Sequence, residues 1–255
     1  MVSISIIMPA LNEEKHILVA INSSLKAIDK LALDGEIIVV NDGSTDMTKE
    51  ITEEAMKRDS RIRVINHDVS QGLGKAFWVG VDNMRGNLVC TIPGDNENDA
   101  YEILRYHKLL EHVDIVIPFV YNKDIRSIFR VTLSFVYKFI INSTFFVNLN
   151  YTNGTVLYRK SVLQKLEYRS TSFFYQTDIL IRLIKGGYLF AEVPYRLNTR
   201  SKSISKALSF PSLLHVMGGY LRLIKDQYLR KKKIGIEKNT STSERYKHSD
   251  AESTN

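Results

Sequence analysis

An α/β fold built on a mostly parallel sheet is predicted by three features of the 255-residue sequence. Short β-branched runs alternate with amphipathic helical stretches over the first 120 residues. That β-α-β-α order implies parallel strands joined by right-handed crossovers. Each run empties into a polar turn, and in open α/β sheets ligands bind where loops leave the carboxyl ends of the strands. The composition, 44% hydrophobic and 25% charged, is ordinary for a globular chain with a substantial core.

Ser3–Met8 reads as the first strand, ended by Pro9. Asn12 stands as N-cap, with Glu13 and Glu14 in the first turn of a helix running to about Leu31. Asp34-Gly35 breaks the chain before a second strand, Glu36–Val40. It empties into Asn41-Asp42-Gly43-Ser44-Thr45-Asp46, a polar turn leading to another helix. Arg61–Asn66 is the third strand, and its exit, Gln71-Gly72-Leu73-Gly74-Lys75-Ala76, opens a helix to about Met84. Glycines before a helix N-terminus, followed by a lysine, suit a phosphate cradle and equally a plain tight turn.

Leu88–Ile92 reads as a buried strand that stops at Pro93-Gly94. Three acids then alternate, Asp95, Glu97 and Asp99. Carboxylates grouped there suit a hard divalent cation that keeps some water and borrows phosphate oxygens. A solvated acidic turn is the other reading of the same residues. A helix from about Asp99 to Glu111 and a strand at Val113–Pro118 complete the layer.

Ile125–Val147 is apolar-rich and helical in pattern. Arg126, Arg130, Ser134 and Lys138 recur every four residues, opposite a stripe of Phe129, Leu133, Val136 and Ile140. Phe135, Phe139, Phe145 and Phe146 widen the apolar arc. A basic amphipathic helix of this kind either lies on an anionic bilayer or packs its stripe on the domain. Thr155–Tyr158 is a short strand, Phe173–Lys185 a helix closed by Gly186-Gly187, and Tyr188–Val193 a strand. Arg196, Arg200, Lys202 and Lys206 follow among serines, a loop suited to phosphate contact or to plain solvation. Phe210–Leu229 is a second amphipathic helix, ending in the run Arg230 to Lys233, and the polar residues from about Glu237 on are expected to be disordered.

The formal net charge is +7, with bases dominant from Lys123 onward, which points to an anionic partner for the second half. No stacking-aromatic or recognition-helix pattern supports nucleic acid as that partner. The single cysteine, Cys90, excludes a disulfide within the chain and is expected to be a buried, inert thiol, which fits a reducing compartment. No run reaches the ~18 uninterrupted apolar residues of a membrane span, and residues 2–8 lack the length and basic leader of a signal peptide.

The motifs Ile7-Met-Pro-Ala-Leu-Asn-Glu-Glu14, Glu36-Ile-Ile-Val-Val-Asn-Asp-Gly-Ser-Thr-Asp46, Gly72-x-Gly-Lys-Ala76 and Gly94-Asp95 together resemble the family 2 glycosyltransferases. Thr152-Asn-Gly-x-x-Leu-Tyr-Arg159, Tyr175-Gln-Thr-Asp178, Gly187-Tyr-x-x-x-Glu-Val-Pro194 and Arg200-x-x-Ser-x-Ser-Lys206 are similar to the branch containing dolichol-phosphate mannosyltransferase and bacterial polyprenyl-phosphate glycosyltransferases. The likeness covers about residues 3–206. It implies a Rossmann-like, nucleotide-sugar-binding sandwich of the GT-A type, with C-terminal amphipathic helices. The implied organisation is a catalytic domain over 1–206, a basic membrane-facing helical extension over 207–233 and a disordered tail over 234–255.

The resemblance also implies roles. Pro9, Asn12 and Glu13 line the nucleotide pocket with Lys75 and Gly94, and Asp42 accepts hydrogen bonds from the base. Asp95 matches the second acid of the family's D-x-D motif, which holds Mg²⁺ or Mn²⁺ against the diphosphate. Pro93 stands where the first acid would be, and Glu97, where the branch has glutamine, offers a second carboxylate. Arg200 and Lys206 neutralise phosphate, and Asp178 lies where the branch has an acid near the acceptor. Ser203 replaces a usual glycine, and Asn150 falls where an acid is common. The implied reaction is inverting transfer from a nucleotide-diphosphate sugar to a polyprenyl phosphate, by an enzyme held peripherally on the cytoplasmic face of an anionic membrane. A lipid phosphate needs no general base; a glycan hydroxyl acceptor does, and Asp178 is the candidate. A catalytically silent nucleotide-sugar binder is the third reading.

Overall fold

The computed structural model describes residues 3–122, 128–197, 210–230 and 241–243. Its strands are β1 (Ile4–Ala10), β2 (Gly35–Asp42), β3 (Ile62–His67), β4 (Leu88–Thr91), β5 (Ile115–Val120), β6 (Leu157–Arg159) and β7 (Phe190–Tyr195). They form one seven-stranded sheet in the order β3-β2-β1-β4-β6-β5-β7. β6 runs antiparallel to β4 and β5, and the other ladders are parallel. Every strand but β6 therefore ends at the same edge of the sheet.

β1 and β2 are buried along their whole length, as unbroken apolar runs in a parallel sheet must be. Alternate residues feed two cores. Ile4, Ile6, Met8, Ile37 and Val39 face α1 (Ile17–Lys30), α2 (Thr48–Arg58) and α4 (Ala100–Leu104). Ile7, Ile38 and Val40 face α3 (Leu73–Asn83), α5 (Ile128–Phe145), α7 (Tyr175–Lys185) and α8 (Phe210–Ile224). A short α6 (Lys160–Gln164) follows β6, and a π-helical turn, Lys225–Leu229, extends α8.

Several expectations are corrected. β1 continues through Pro9 because the β4 ladder ends at the pair Ile7–Thr91, so the missing N–H removes no bond. The helix expected from Asn12 starts at Ile17 instead, since Asn12 takes a left-handed φ of 56° and bonds to the β2 exit. The helix expected over 99–111 divides into α4 and a 3₁₀ turn at His107–Glu111. On α5 the packed stripe is Tyr137, Ile141 and Phe145, whereas Leu133, Val136 and Ile140 are at least 40% exposed. The expected start of that helix, at 125–127 with Arg126, lies outside the described residues.

Part of the tail expected to be disordered is docked. Ser241 and Thr242 are buried, and their main-chain N–H groups donate to the buried carboxylate of Asp114 at 2.9 and 3.1 Å. The Thr242 hydroxyl donates to Asp114 as well and accepts from the Leu189 N–H at 2.8 Å. This clasp closes the amino-terminal edge of the sheet, opposite the loops that leave β1, β2 and β4.

Candidate active site

The loops leaving β1 and β2 are stitched together. The Asn12 N–H donates to Ser44 Oγ (2.9 Å) and its Oδ1 accepts from the Thr45 N–H (2.8 Å). The Glu13 N–H donates to Thr48 Oγ1 (2.8 Å), the Glu14 N–H donates to Asp46 (3.1 Å), and the Glu14 carboxylate accepts from the Met47 N–H (3.1 Å). Asp46 also accepts from the Thr48 N–H at 3.0 Å, ahead of α2. Burial pushes the Asp46 carboxyl up, but the Thr48 hydroxyl and the main-chain donors outweigh it and hold it below the usual range. Asn12 and Glu13 thus tie the β1 exit to the β2 exit at this edge. Asp46, their organiser, was passed over, although an acid just before a helix is a sequence signal in its own right.

Asp42 is enclosed by the next loop. It is 4% exposed, and its carboxylate accepts from His67 Nδ1 (2.7 Å), Ser70 Oγ (2.7 Å), the Gln71 N–H (2.9 Å) and the Gly72 N–H (2.9 Å). Four donors fill the lone-pair capacity of a carboxylate. Burial raises its pKa, and these bonds outweigh burial and leave it below the ordinary carboxylate value. Asp42 folds the β3 exit loop over the β2 exit. Gly43 completes the contact: its φ is +73°, and a Cβ there would lie 2.6 Å from the main chain of Val69 and Ser70.

The glycine-rich exit of β3 is likewise a packing device. The Gly74 N–H donates to the Thr171 carbonyl (3.1 Å), and a Cβ on Gly74 would lie 2.5 Å from the Ser170 carbonyl oxygen. The Gly72 N–H is held by Asp42, and the helix start is pressed against residues 170–172. Lys75 projects from it, exposed.

After β4, the Gly94 N–H donates to the Pro9 carbonyl (3.0 Å), and a Cβ would meet Ile17 Cδ1 at 2.5 Å, so the turn is clamped to β1. Asp95 and Glu97 follow, both half-buried, with the Glu97 N–H donating to Asp95 Oδ1 (3.1 Å) across Asn96 at φ 56°. Asp99 leaves this pair: it caps α4, accepting from the Tyr101 N–H at 2.8 Å. Asn98 accepts from the Tyr195 hydroxyl (3.0 Å) and bridges to Leu197, and Leu197 exchanges two 3.0 Å bonds with Asn122. β7 thereby delivers the chain beside the acidic turn at Leu197. Arg200 and Lys206 lie outside the described residues.

Asn150, standing where an acid is common, donates to both oxygens of Glu192, at 2.6 Å from its N–H and 3.0 Å from Nδ2. An acid there would face a carboxylate. Asp178 does not join the acidic turn through any contact among the described residues. It is fully buried, its Oδ2 accepts from Arg182 Nε at 2.9 Å, and its Oδ1 has no hydrogen-bond partner among them. Burial raises its pKa, Arg182 opposes the rise and Asp226 adds to it. In this arrangement the acid expected beside the acceptor is closed off from solvent and held by Arg182.

A model of glycosyl transferase family 2 matches residues 5–167. A dolichyl-phosphate beta-glucosyltransferase of Trichomonas vaginalis is 34% identical over 111 residues, which cover 40% of this chain and 34% of that protein. An undecaprenyl-phosphate 4-deoxy-4-formamido-L-arabinose transferase of Edwardsiella ictaluri is 31% identical over 103 residues, 40% of this chain and 32% of that protein. The chain thus spans about a third of the length of these curated relatives. Glucosyl-3-phosphoglycerate synthase from Mycobacterium tuberculosis, solved with Mn²⁺, uridine diphosphate and phosphoglyceric acid, superposes with a TM-score of 0.67 at 22% identity, covering 87% of this chain and 78% of that one. That likeness shows the fold, the GT-A sandwich. With the family matched over most of its length, the chain belongs to glycosyl transferase family 2.

Proposed function

We propose that this chain moves a sugar, with inversion, from a nucleotide-diphosphate sugar to a polyprenyl phosphate at the cytoplasmic face of a membrane. The observation that carries the acceptor is an uncovered apolar surface. Phe135, Phe139 and Ile140 on α5, and Leu213, Leu214, Met217 and Leu221 on α8, are all more than 40% exposed, and Phe146 is 82% exposed. The Thr144 hydroxyl bonds the Tyr220 hydroxyl at 2.7 Å, and Phe145 stacks on Tyr228 with ring centroids 6.3 Å apart, so the end of α5 packs against α8 and the turn that extends it. Arg222, Lys225 and Arg230, in the last turns of the same segment, are exposed. Apolar side chains bordered by bases suit an anionic bilayer. No helix among the described residues is long and apolar enough to cross one. The two curated relatives are named for lipid-phosphate acceptors.

Asp95 and Glu97 are the residues that would hold Mg²⁺ or Mn²⁺. Their hard oxygen donors sit on one turn that the Gly94 N–H ties to β1. Among the described residues no group of three His, Cys, Asp or Glu could hold a metal alone, which fits a cation that takes its other ligands from the donor diphosphate. When bound, the cation offsets charge building on the leaving diphosphate. Pro9, Asn12 and Glu13 form the donor wall, and Arg200, three residues past Leu197, and Lys206 are assigned to the departing phosphates. The acceptor phosphate oxygen attacks as an anion and requires no base, in keeping with the burial of Asp178.

A soluble phosphorylated acceptor is the second reading, because the structural neighbour was solved with phosphoglyceric acid. The test incubates the chain with radiolabelled nucleotide sugars, Mn²⁺ and polyprenyl phosphate. Label extracted into organic solvent supports the lipid acceptor. Label that turns over but stays in water supports the soluble one, and no turnover with any donor leaves a silent binder.

A further inference from the structure

Asp178 begins a row of charges that crosses from α7 to the end of α8. Its partner Arg182 reaches on through Nη2 to Asp226 Oδ2 at 2.8 Å, and Arg230 Nη1 stands 3.6 Å from Asp226 Oδ1. Asp178, Arg182 and Asp226 are 0, 6 and 4% exposed. Asp226 belongs to the π-helical turn, closed by the Arg230 N–H donating to the Lys225 carbonyl at 2.9 Å. Such turns are rare and concentrate at sites with a task beyond packing. The Arg182 and Arg222 guanidinium groups lie over the Tyr168 ring, 5.1 and 3.8 Å from its centroid.

Buried ion pairs are a poor source of stability relative to apolar packing, and their best-attested use is to select one arrangement among several. α8 needs such selection. It carries apolar residues on its packed side (Val216, Tyr220, Leu223) and on its open side (Leu213, Leu214, Met217, Leu221), so hydrophobicity alone does not fix which side faces in. Asp226 fixes it, because only one rotation of the helix meets Arg182. A phenylalanine ring wedged at Gly219, where a Cβ would lie 2.8 Å from Phe174 Cδ1, sets the approach of the two helices.

We propose that Asp178 is a positioning residue: through Arg182 and Asp226 it locks α8 in the rotation that turns its open apolar side to a membrane, and it takes no proton from the acceptor. This rests on the membrane-surface reading above. The test uses the full chain with phosphatidylcholine–phosphatidylglycerol vesicles, read by co-sedimentation, and by steady-state transfer to polyprenyl phosphate in the same vesicles. Asp226→Asn should raise the acceptor KM about tenfold, the scale of coupling between contacting charges, with kcat and donor KM unchanged. Asp178→Asn should raise the acceptor KM equally, and the double variant should be no worse than either. Arg182→Lys, which keeps the charge but not the two-armed reach, should reproduce the shift if Asp178→Asn does not fold. A kcat lost in Asp178→Asn with Asp226→Asn intact overturns the proposal, as do additive effects or an unshifted Arg182→Lys. Co-sedimentation requires no turnover. A chain that binds vesicles but transfers no sugar sinks the transferase reading, and parallel loss of vesicle binding in the three variants still upholds the lock. A wild-type chain that ignores vesicles overturns it.

Discussion

Replacing Asp42 by alanine tests whether this acid holds a loop or reads a base. The substitution strips acceptors from His67, Ser70 and the Gln71 and Gly72 N–H groups at a site 4% exposed. Each bond to a charged group is worth about 1.5–3 kcal/mol. The four do not add, since the freed loop admits water, so a net loss of about 3–4 kcal/mol is expected. For a chain of this size that lowers Tm by about 10 °C. Asp42→Asn keeps the shape but turns an amide N–H₂ toward donors, so it should lose a large part of the same stability. Urea denaturation at neutral pH measures this, beside calorimetric titration with a nucleotide diphosphate. An unchanged unfolding midpoint together with lost nucleotide affinity would refute the reasoning and restore the base-reading role. The pH dependence has a definite sign. Burial raises the Asp42 and Glu36 carboxyls, yet hydrogen bonds, with Arg63 for Glu36, leave both below their unfolded values of about 4. Their stabilisation is present above that pH and is lost as pH falls through the lower folded values, and Asp42→Asn should flatten this acid limb.

Asp95→Asn should abolish sugar transfer while sparing free nucleoside binding, and Glu97→Gln should do less; full activity in a chelator would remove the acidic turn from the mechanism. Leu214→Asp with Met217→Asp should release the chain from anionic vesicles without lowering Tm, because both side chains are more than half exposed; unchanged co-sedimentation would identify the surface as something else. Gly74→Ala should cost several kcal/mol, since the new methyl lies 2.5 Å from a main-chain oxygen, and a Tm near wild type would show that residues 170–172 yield. Cys90 is fully buried and burial pushes its thiol up, so thiol reagents should label it only after unfolding.

The parallel half of the fold was legible because β1, β2 and β4 announce themselves as apolar runs bounded by turn residues. What escaped the sequence depended on distant partners. Nothing in Leu157–Arg159 signals an antiparallel strand between β4 and β5, since direction is chosen by the connection and not by three residues. Which side of α5 packs was left open because the helix is apolar nearly all round, and a period cannot choose a face when both faces qualify. In the site, Asn12, Glu13, Gly94 and Asp95 stand at the expected edge. The contacts of Asp42 and of Gly74 were not legible because their partners, at 67–72 and 170–172, lie far off in the chain, mostly in segments without periodicity. The ion pairs of Asp178 are invisible in the sequence because Asp226, which shares Arg182 with it, comes 48 residues later in the chain.

The placement of β6 dictates an order of assembly. β1, β2, β3 and β4 find all their neighbours within residues 4–91, apart from the open side of β4. Among the described residues β5 has no neighbour made before it: it pairs with β6 and β7, which the ribosome delivers roughly 40 and 70 residues later. During synthesis the hydrophobic segment Ile115–Val120 therefore waits without a ladder, as does the free side of β4. Docking of the Leu157 strand relieves both at once. A nascent chain halted between β5 and β6 should be protease-sensitive from β5 onward and prone to self-association, whereas one extended past Tyr195 should resist both.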